Sequence, residues 1–168
     1  MIRLYQQGME ALNYGRYQEA LAYFERSLKI GRSFNYVELI SASLHNIGMV
    51  YIRLKDYARA EELFKEAEKK EKSIGLKWSI NPGMAELYLA TKRYDDTLRM
   101  LEKSTPSLSS VPDYQIQYFT QRGSAFKGNK RLKEASGDFL KAAILIEDMR
   151  AGIKGEKSGI RDRHYYNV

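Results

Sequence analysis

A small residue returns in this chain as Ala20, Ala60, Thr97 and Ala135, at intervals of 40, 37 and 38 residues. Self-similarity on that scale belongs to chains in which one supersecondary unit stacks on copies of itself, each burying a face of its neighbour. Counting Met1 as position 1, position 8 of the four units holds Gly8, Gly48, Ala85 and Gly123, and position 24 holds Phe24, Phe64, Leu101 and Phe139. Positions 20 and 24 are one helical turn apart and share a face. Each unit therefore reads as two helices, A and B, that approach closely at small residues, with a large apolar side chain filling the space beside the crossing.

Other columns fit the same layout. Tyr17, Tyr57, Tyr94 and Leu132 open helix B, and Ser27, Ala67, Ser104 and Ala142 keep a stacking position small. The tyrosines Tyr17, Tyr51, Tyr57, Tyr88 and Tyr94 read as core packing. Turns are expected at Tyr14-Gly15-Arg16, Leu54-Lys55-Asp56, Thr91-Lys92-Arg93 and Gly128-Asn129-Lys130-Arg131. Gly31 and Gly75 suit helix C-terminal caps. In the third unit Asn81-Pro82-Gly83 interrupts helix A, since proline is accepted only in a first turn. A short helix opening at Pro82 with Asn81 as its cap is expected there, the other reading being a kink in a helix that starts from Lys77. Pro106 then stops helix B, and Ser107 to Pro112 is a loop.

These residues resemble the tetratricopeptide repeat family, most closely at Gly15-Arg16-Tyr17-Gln18-Glu19-Ala20-Leu21 and Asp56-Tyr57-Ala58-Arg59-Ala60-Glu61. The resemblance runs from residue 1 to about 150. It departs from the family pattern at position 4 (Leu4, Leu44, Asn81, Phe119) and in having no proline at position 32, as in longer units of about 40 residues. It implies an all-α fold, a right-handed superhelical solenoid of four hairpins spanning 1–40, 41–77, 78–115 and 116–150. Residues 151–168 form a tail, a linker or a capping helix.

The family holds peptides along its A helices. The matching groove positions here are Ile2, Tyr5, Met9, Leu12 and Asn13; Ala42, His45, Met49, Ile52 and Arg53; Glu86, Leu89 and Ala90; and Gln117, Thr120, Ser124 and Lys127. Tyr5, Met9, Leu12, Asn13, His45, Met49, Ile52, Arg53 and Glu86 are the expected partner-binding residues. The apolar first half, with its adaptable thioethers, suits hydrophobic anchors on a partner. The family's clamp for chaperone C-terminal carboxylates needs Lys, Asn, Asn, Lys and Arg where this chain has Tyr5, Met9, Asn46, Ser79 and Gly83. Only Asn46 matches, so that specialised use is not expected.

Composition narrows the chemistry. There are no cysteines, which excludes thiolate nucleophiles, disulfides and sulfur-ligated metals for this chain. His45 and His164 lack converging ligands or a nucleophile-acid pair, and no glycine-rich loop joins a strand to a helix. No catalytic residue, metal or cofactor is therefore expected. The formal charge of +7 is interleaved with acids, so nucleic acid is not the expected partner; binding through the basic C-terminal third would fall steeply with salt. Residues 1–7 lack an export signal and no apolar run spans a bilayer, giving a cytoplasmic expectation.

The expected function is a non-enzymatic protein-binding scaffold. Its alternative is a sensor module controlling an attached or partner effector. The run 143–150 with Arg161 and Tyr165-Tyr166 resembles the junction that joins such repeats to a caspase-like CHAT peptidase domain. The fourth B helix, with Leu140, Ala143, Ile144, Leu145, Ile146 and Met149, is apolar around more of its circumference than a terminal helix should be. It calls for a cover: the tail, downstream sequence, or a second copy in a homo-oligomer.

Overall fold

The structure, a computed structural model, describes residues 2–73, 82–104 and 112–165. Among them every regular element is a helix: α1 (Ile2–Asn13), α2 (Tyr17–Ser33), α3 (Val37–Arg53), α4 (Tyr57–Ser73), α5 (Pro82–Ala90), α6 (Tyr94–Ser104), α7 (Pro112–Gly128) and α8 (Leu132–Tyr165). The all-α repeat expectation holds. None of these helices is long and apolar enough to cross a membrane. The expected features at Gly75, Lys77, Asn81, Pro106, 107–111 and Tyr166 lie outside the described residues.

The helices gather into two compact units, Met1–Arg93 and Tyr94–Val168. In the first, α1 to α5 pack in sequence order, and α3 also touches α1 and α5. In the second, α6 packs on α7 and α7 on α8. The short α5 opens at Pro82 as its proline requires. Pro112, expected in a loop, instead opens α7, where the amide it lacks would have had no helical partner. α8 runs unbroken through residue 150 to Tyr165.

Steric complementarity at positions 8 and 24 sets how closely the helices of a hairpin approach. A Cβ placed on Gly8 would lie 2.5 Å from Phe24 Cε1, one on Gly48 2.6 Å from Phe64 Cε1, and one on Gly123 2.9 Å from Phe139 Cε1. The aromatic ring lies directly on the glycine of the preceding helix, so the large side chain occupies the crossing itself. Around Phe24 the first unit buries Ala11, Ala20, Leu28, Ile40, Leu44, Ile47, Val50 and Ala67 in one cluster.

Four turns between A and B helices share one backbone conformation. Gly15, Lys55, Lys92 and Lys130 all have φ between 59° and 71°. After each, an amide reaches back five residues: Arg16 to Ala11, Asp56 to Tyr51, Arg93 to Tyr88 and Arg131 to Phe126, at 2.7 to 2.9 Å. This is the Schellman closure, which pairs carbonyls that a helix end leaves open. Glycine adopts the left-handed region without the Cβ penalty that lysine meets. Lys55→Gly is therefore expected to raise stability by about 0.5–1 kcal/mol, read as a higher urea midpoint with an unchanged denaturant slope.

Two expectations need correction. Gly31 does not cap α2, which runs on to Ser33 and turns at Asn35, with φ 49°. A Cβ on Gly31 would lie 3.1 Å from Ile40 Cγ1, so its smallness admits the start of α3. The five tyrosines are partly rather than fully buried. Two of them carry guanidinium groups on their faces, Arg59 at 5.4 Å from the Tyr51 centroid and Arg93 at 4.3 Å from that of Tyr88. Tyr118, by contrast, is buried. Leu132, assigned to the same opening column of helix B, is exposed.

The α7–α8 hairpin contains a buried ion pair that has no counterpart among the described residues at the same positions of the other units. Arg122 donates from Nε to Asp138 Oδ2 at 2.6 Å and from Nη2 to Oδ1 at 2.7 Å, and its Nη1 donates to the Tyr118 hydroxyl at 2.8 Å. Asp138 is buried. The hydrogen bond to Asp138, set against partial burial, holds the Arg122 guanidinium above its ordinary pKa.

Candidate functional site

The expected binding residues stand on α1, α3 and α5 of the first unit, mostly at steps of three and four along each helix. Tyr5 is partly buried; its hydroxyl accepts a hydrogen bond from Asn46 Nδ2 at 3.0 Å, and its ring meets Phe24 edge-on with centroids 6.0 Å apart. Asn46 also donates to the Ala42 carbonyl at 2.9 Å, so this amide ties α1 to α3. Met9 and Leu12 pack on the core with one side and keep the other partly open. Asn13 is exposed at the end of α1.

On α3, His45 and Met49 are partly exposed one turn apart. The His45 ring lies 5.4 Å from that of Phe64, and Gly83 of α5 comes close enough that an added Cβ would lie 3.0 Å from His45 Cε1. Glycine at 83 thus lets α5 approach both rings. Arg53 Nη1 and Glu86 Oε1 form an ion pair at 2.7 Å between α3 and α5. Two expected binding residues are therefore joined to each other, and a ligand reaching them meets a pair rather than separate charges. Ile52 is only 6% exposed. It stands one turn after Gly48, on the side that packs against α4, and offers no surface.

The matching positions of the second unit, Gln117, Thr120, Ser124 and Lys127, lie on α7 and are polar and at least partly exposed. Ser124 Oγ donates to the Thr120 carbonyl at 2.8 Å, which turns that hydroxyl back onto its own helix.

A second surface escaped the sequence reading. Between α2 and α4, with α3 as its floor, lies a groove of about 850 Å³ whose base includes Leu28, Leu44, Ile47 and Leu63. Its rims carry three acids (Glu25, Glu62, Glu66) and three bases (Lys29, Arg32, Arg59). Arg32 Nη2 donates to Glu66 Oε1 at 3.0 Å, tying the two rims together. Arg59 is held above its ordinary pKa first by a hydrogen bond with Tyr51 and then by Asp56. Each helix contributes only a few of these charges, and the groove exists only when three helices come together.

Among the described residues no three histidine or carboxylate groups converge on a metal position. What both surfaces offer is partly covered apolar area flanked by paired charges, which suits recognition of a chain segment.

A family model described as tetratricopeptide repeat matches residues 4–69. That span runs from the first turn of α1 into α4, and so includes the hairpins that carry Tyr5, Met9, His45 and Met49. No curated protein matches the chain.

Proposed function

Residues 4–69 are tetratricopeptide repeats, a fold that in general mediates protein–protein interaction, and from that premise we propose that the protein is a non-catalytic adaptor holding a peptide or protein segment along its α1–α3–α5 face. The observation that carries this reading is the half-open, largely apolar strip of Tyr5, Met9, Leu12, His45 and Met49, in which Tyr5, Met9 and Leu12 pack on the core, Asn46 bonds to Tyr5, and His45 lies beside Phe64. A strip that is already ordered loses little side-chain entropy on binding, and two methionines adapt to varied anchors. The Arg53–Glu86 pair beside it supplies a donor and an acceptor for the backbone or charges of the guest.

Its test is Met9→Asp combined with Met49→Asp, compared with wild type in affinity capture from cell extract and then in titration with the captured partner. Partner affinity should fall by about 100-fold or more, as expected when charges replace central apolar contacts, while far-UV circular dichroism stays unchanged. Unaltered affinity in the folded double variant would reject the α1–α3–α5 face. Loss in a variant of the α2–α4 groove instead, such as Leu63→Asp, would transfer the function there.

A further inference from the structure

The repeat provides its own control for the outer surface of α8. Phe24 and Phe64 are 0% exposed, whereas Phe139 at the same position of the last hairpin is 37% exposed. Two further positions on the helix are ones that ordinary stacking leaves in water. Where α2 has Glu25 and Lys29, and α4 has Lys65 and Lys69, α8 has Leu140 and Ile144. Those charged side chains are exposed in the earlier helices, and their apolar counterparts remain 62% and 51% exposed.

A stripe runs through these two residues. Lys133, Gly137, Leu140, Ile144, Glu147 and Ala151 follow one another at steps of four and three, and all six are exposed. Alternating steps of four and three place residues along one seam of a helix, the spacing by which two helices pair. Ala135, Asp138 and Ala142 are buried on the side facing α7, so the seam lies away from the hairpin's own core. An added Cβ at Gly137 would meet nothing within 4 Å, leaving room there for a second backbone.

The charges on the seam choose the occupant. The apolar centre is flanked by a lysine on the N-terminal side and a glutamate on the C-terminal side. Two copies laid parallel would set Lys133 beside Lys133 and Glu147 beside Glu147. Laid antiparallel, with the crossing at the level of residue 142, Leu140 of each copy meets Ile144 of the other. Lys133 of each then lies opposite Ala151 of the other, about one turn from its Glu147 and within reach of a long side chain. One apolar contact and one ion pair are thus each repeated by the two-fold, and the assembly closes at two chains.

A head-to-tail stack is disfavoured, because the first helix presents Arg3, Gln6 and Glu10, all exposed and polar, where a repeat would receive a predecessor. We propose that the α8 seam pairs antiparallel with α8 of a second copy of this chain. This assembly is independent of the α1–α3–α5 reading, since the seam lies in the other compact unit.

Sedimentation or light scattering of the full chain over about 1–200 μM should show the mass rise from one chain to two, as expected for a small interface with a micromolar Kd. Leu140→Asp with Ile144→Asp should raise Kd by about 100-fold or more, with helicity intact because both side chains are exposed. Lys133→Glu alone should weaken the pair, and adding Glu147→Lys should restore it. A single-chain mass at every concentration, or a dimer that survives the two aspartates, overturns the proposal. A dimer that ignores Lys133→Glu overturns the antiparallel register.

Discussion

Asp138→Ala is expected to lower the stability of the α6–α8 unit by about 3–5 kcal/mol, the cost of leaving one member of a buried ion pair alone. Asp138 is buried, and its two oxygens accept from two nitrogens of Arg122 in the fork geometry that best uses a guanidinium. Lys141, at 4.0 Å from Asp138 Oδ1, is a second cation and cannot replace the lost carboxylate. Without the carboxylate, Arg122 keeps its bond to Tyr118 and its place over the faces of Tyr118 and Phe119, at 4.9 and 5.6 Å, but has no counter-charge. Asp138→Asn, which still accepts one bond, should cost less. Replacing Arg122 and Asp138 together by leucine should also cost less than Asp138→Ala, since no charge is then stranded. Urea denaturation followed by circular dichroism gives the size of the loss, and amide exchange in α7 and α8 gives its place. A loss below about 1 kcal/mol would mean that the pair behaves as a solvated surface bridge.

The contrast between this pair and the aromatic columns explains what the sequence could reveal. Gly8, Gly48 and Gly123 with Phe24, Phe64 and Phe139 are legible because size is a property of the residue itself, and a repeat displays the same size twice over. Arg122 and Asp138 stand at positions 7 and 23, where the second unit has Ile47 and Leu63. An apolar pair has been exchanged for a charged one, yet in a chain with so many charges neither residue announces that it is buried. The α2–α4 groove was invisible for a related reason, since its lining comes from three helices and no single helix looks unusual. Ile52 was misplaced because a family position was carried over whole, whereas its one-turn spacing from Gly48 pointed toward α4. The excess of apolar residues on α8 could be read directly, since Leu140 and Ile144 break a column that is charged in α2 and α4.

Phe64→Ala should cost about 3–5 kcal/mol, whereas Phe139→Ala, the same change at the equivalent place, should cost about 1–2 kcal/mol. Phe64 is covered on every side: a Cβ on Gly48 would lie 2.6 Å from its ring, Gly83 of α5 presses on the same ring, and His45 sits at 5.4 Å. Truncation there leaves a cavity bounded by three helices that cannot all move inward together. Phe139 rests on Gly123 but is partly open, so much of the space left by truncation is simply filled by solvent. The difference between the two losses measures what a following helix adds to a hairpin. Gly48→Ala approaches the same contact from the other partner: it gains helix propensity but drives a methyl into the Phe64 ring, and the collision should win by about 1–2 kcal/mol. Phe64→Leu should relieve that clash, giving a coupling of about 1 kcal/mol in a double-mutant cycle. The third unit already carries this smaller-with-larger exchange, with Ala85 at position 8 and Leu101 at position 24. The Phe139 measurement must be made at concentrations where α8 is unpaired, because pairing would bury the surface whose openness makes the substitution mild. Equal losses for the two phenylalanines under those conditions would mean that each hairpin is self-sufficient, and the recurrence of small and large residues would no longer reflect stacking between neighbours.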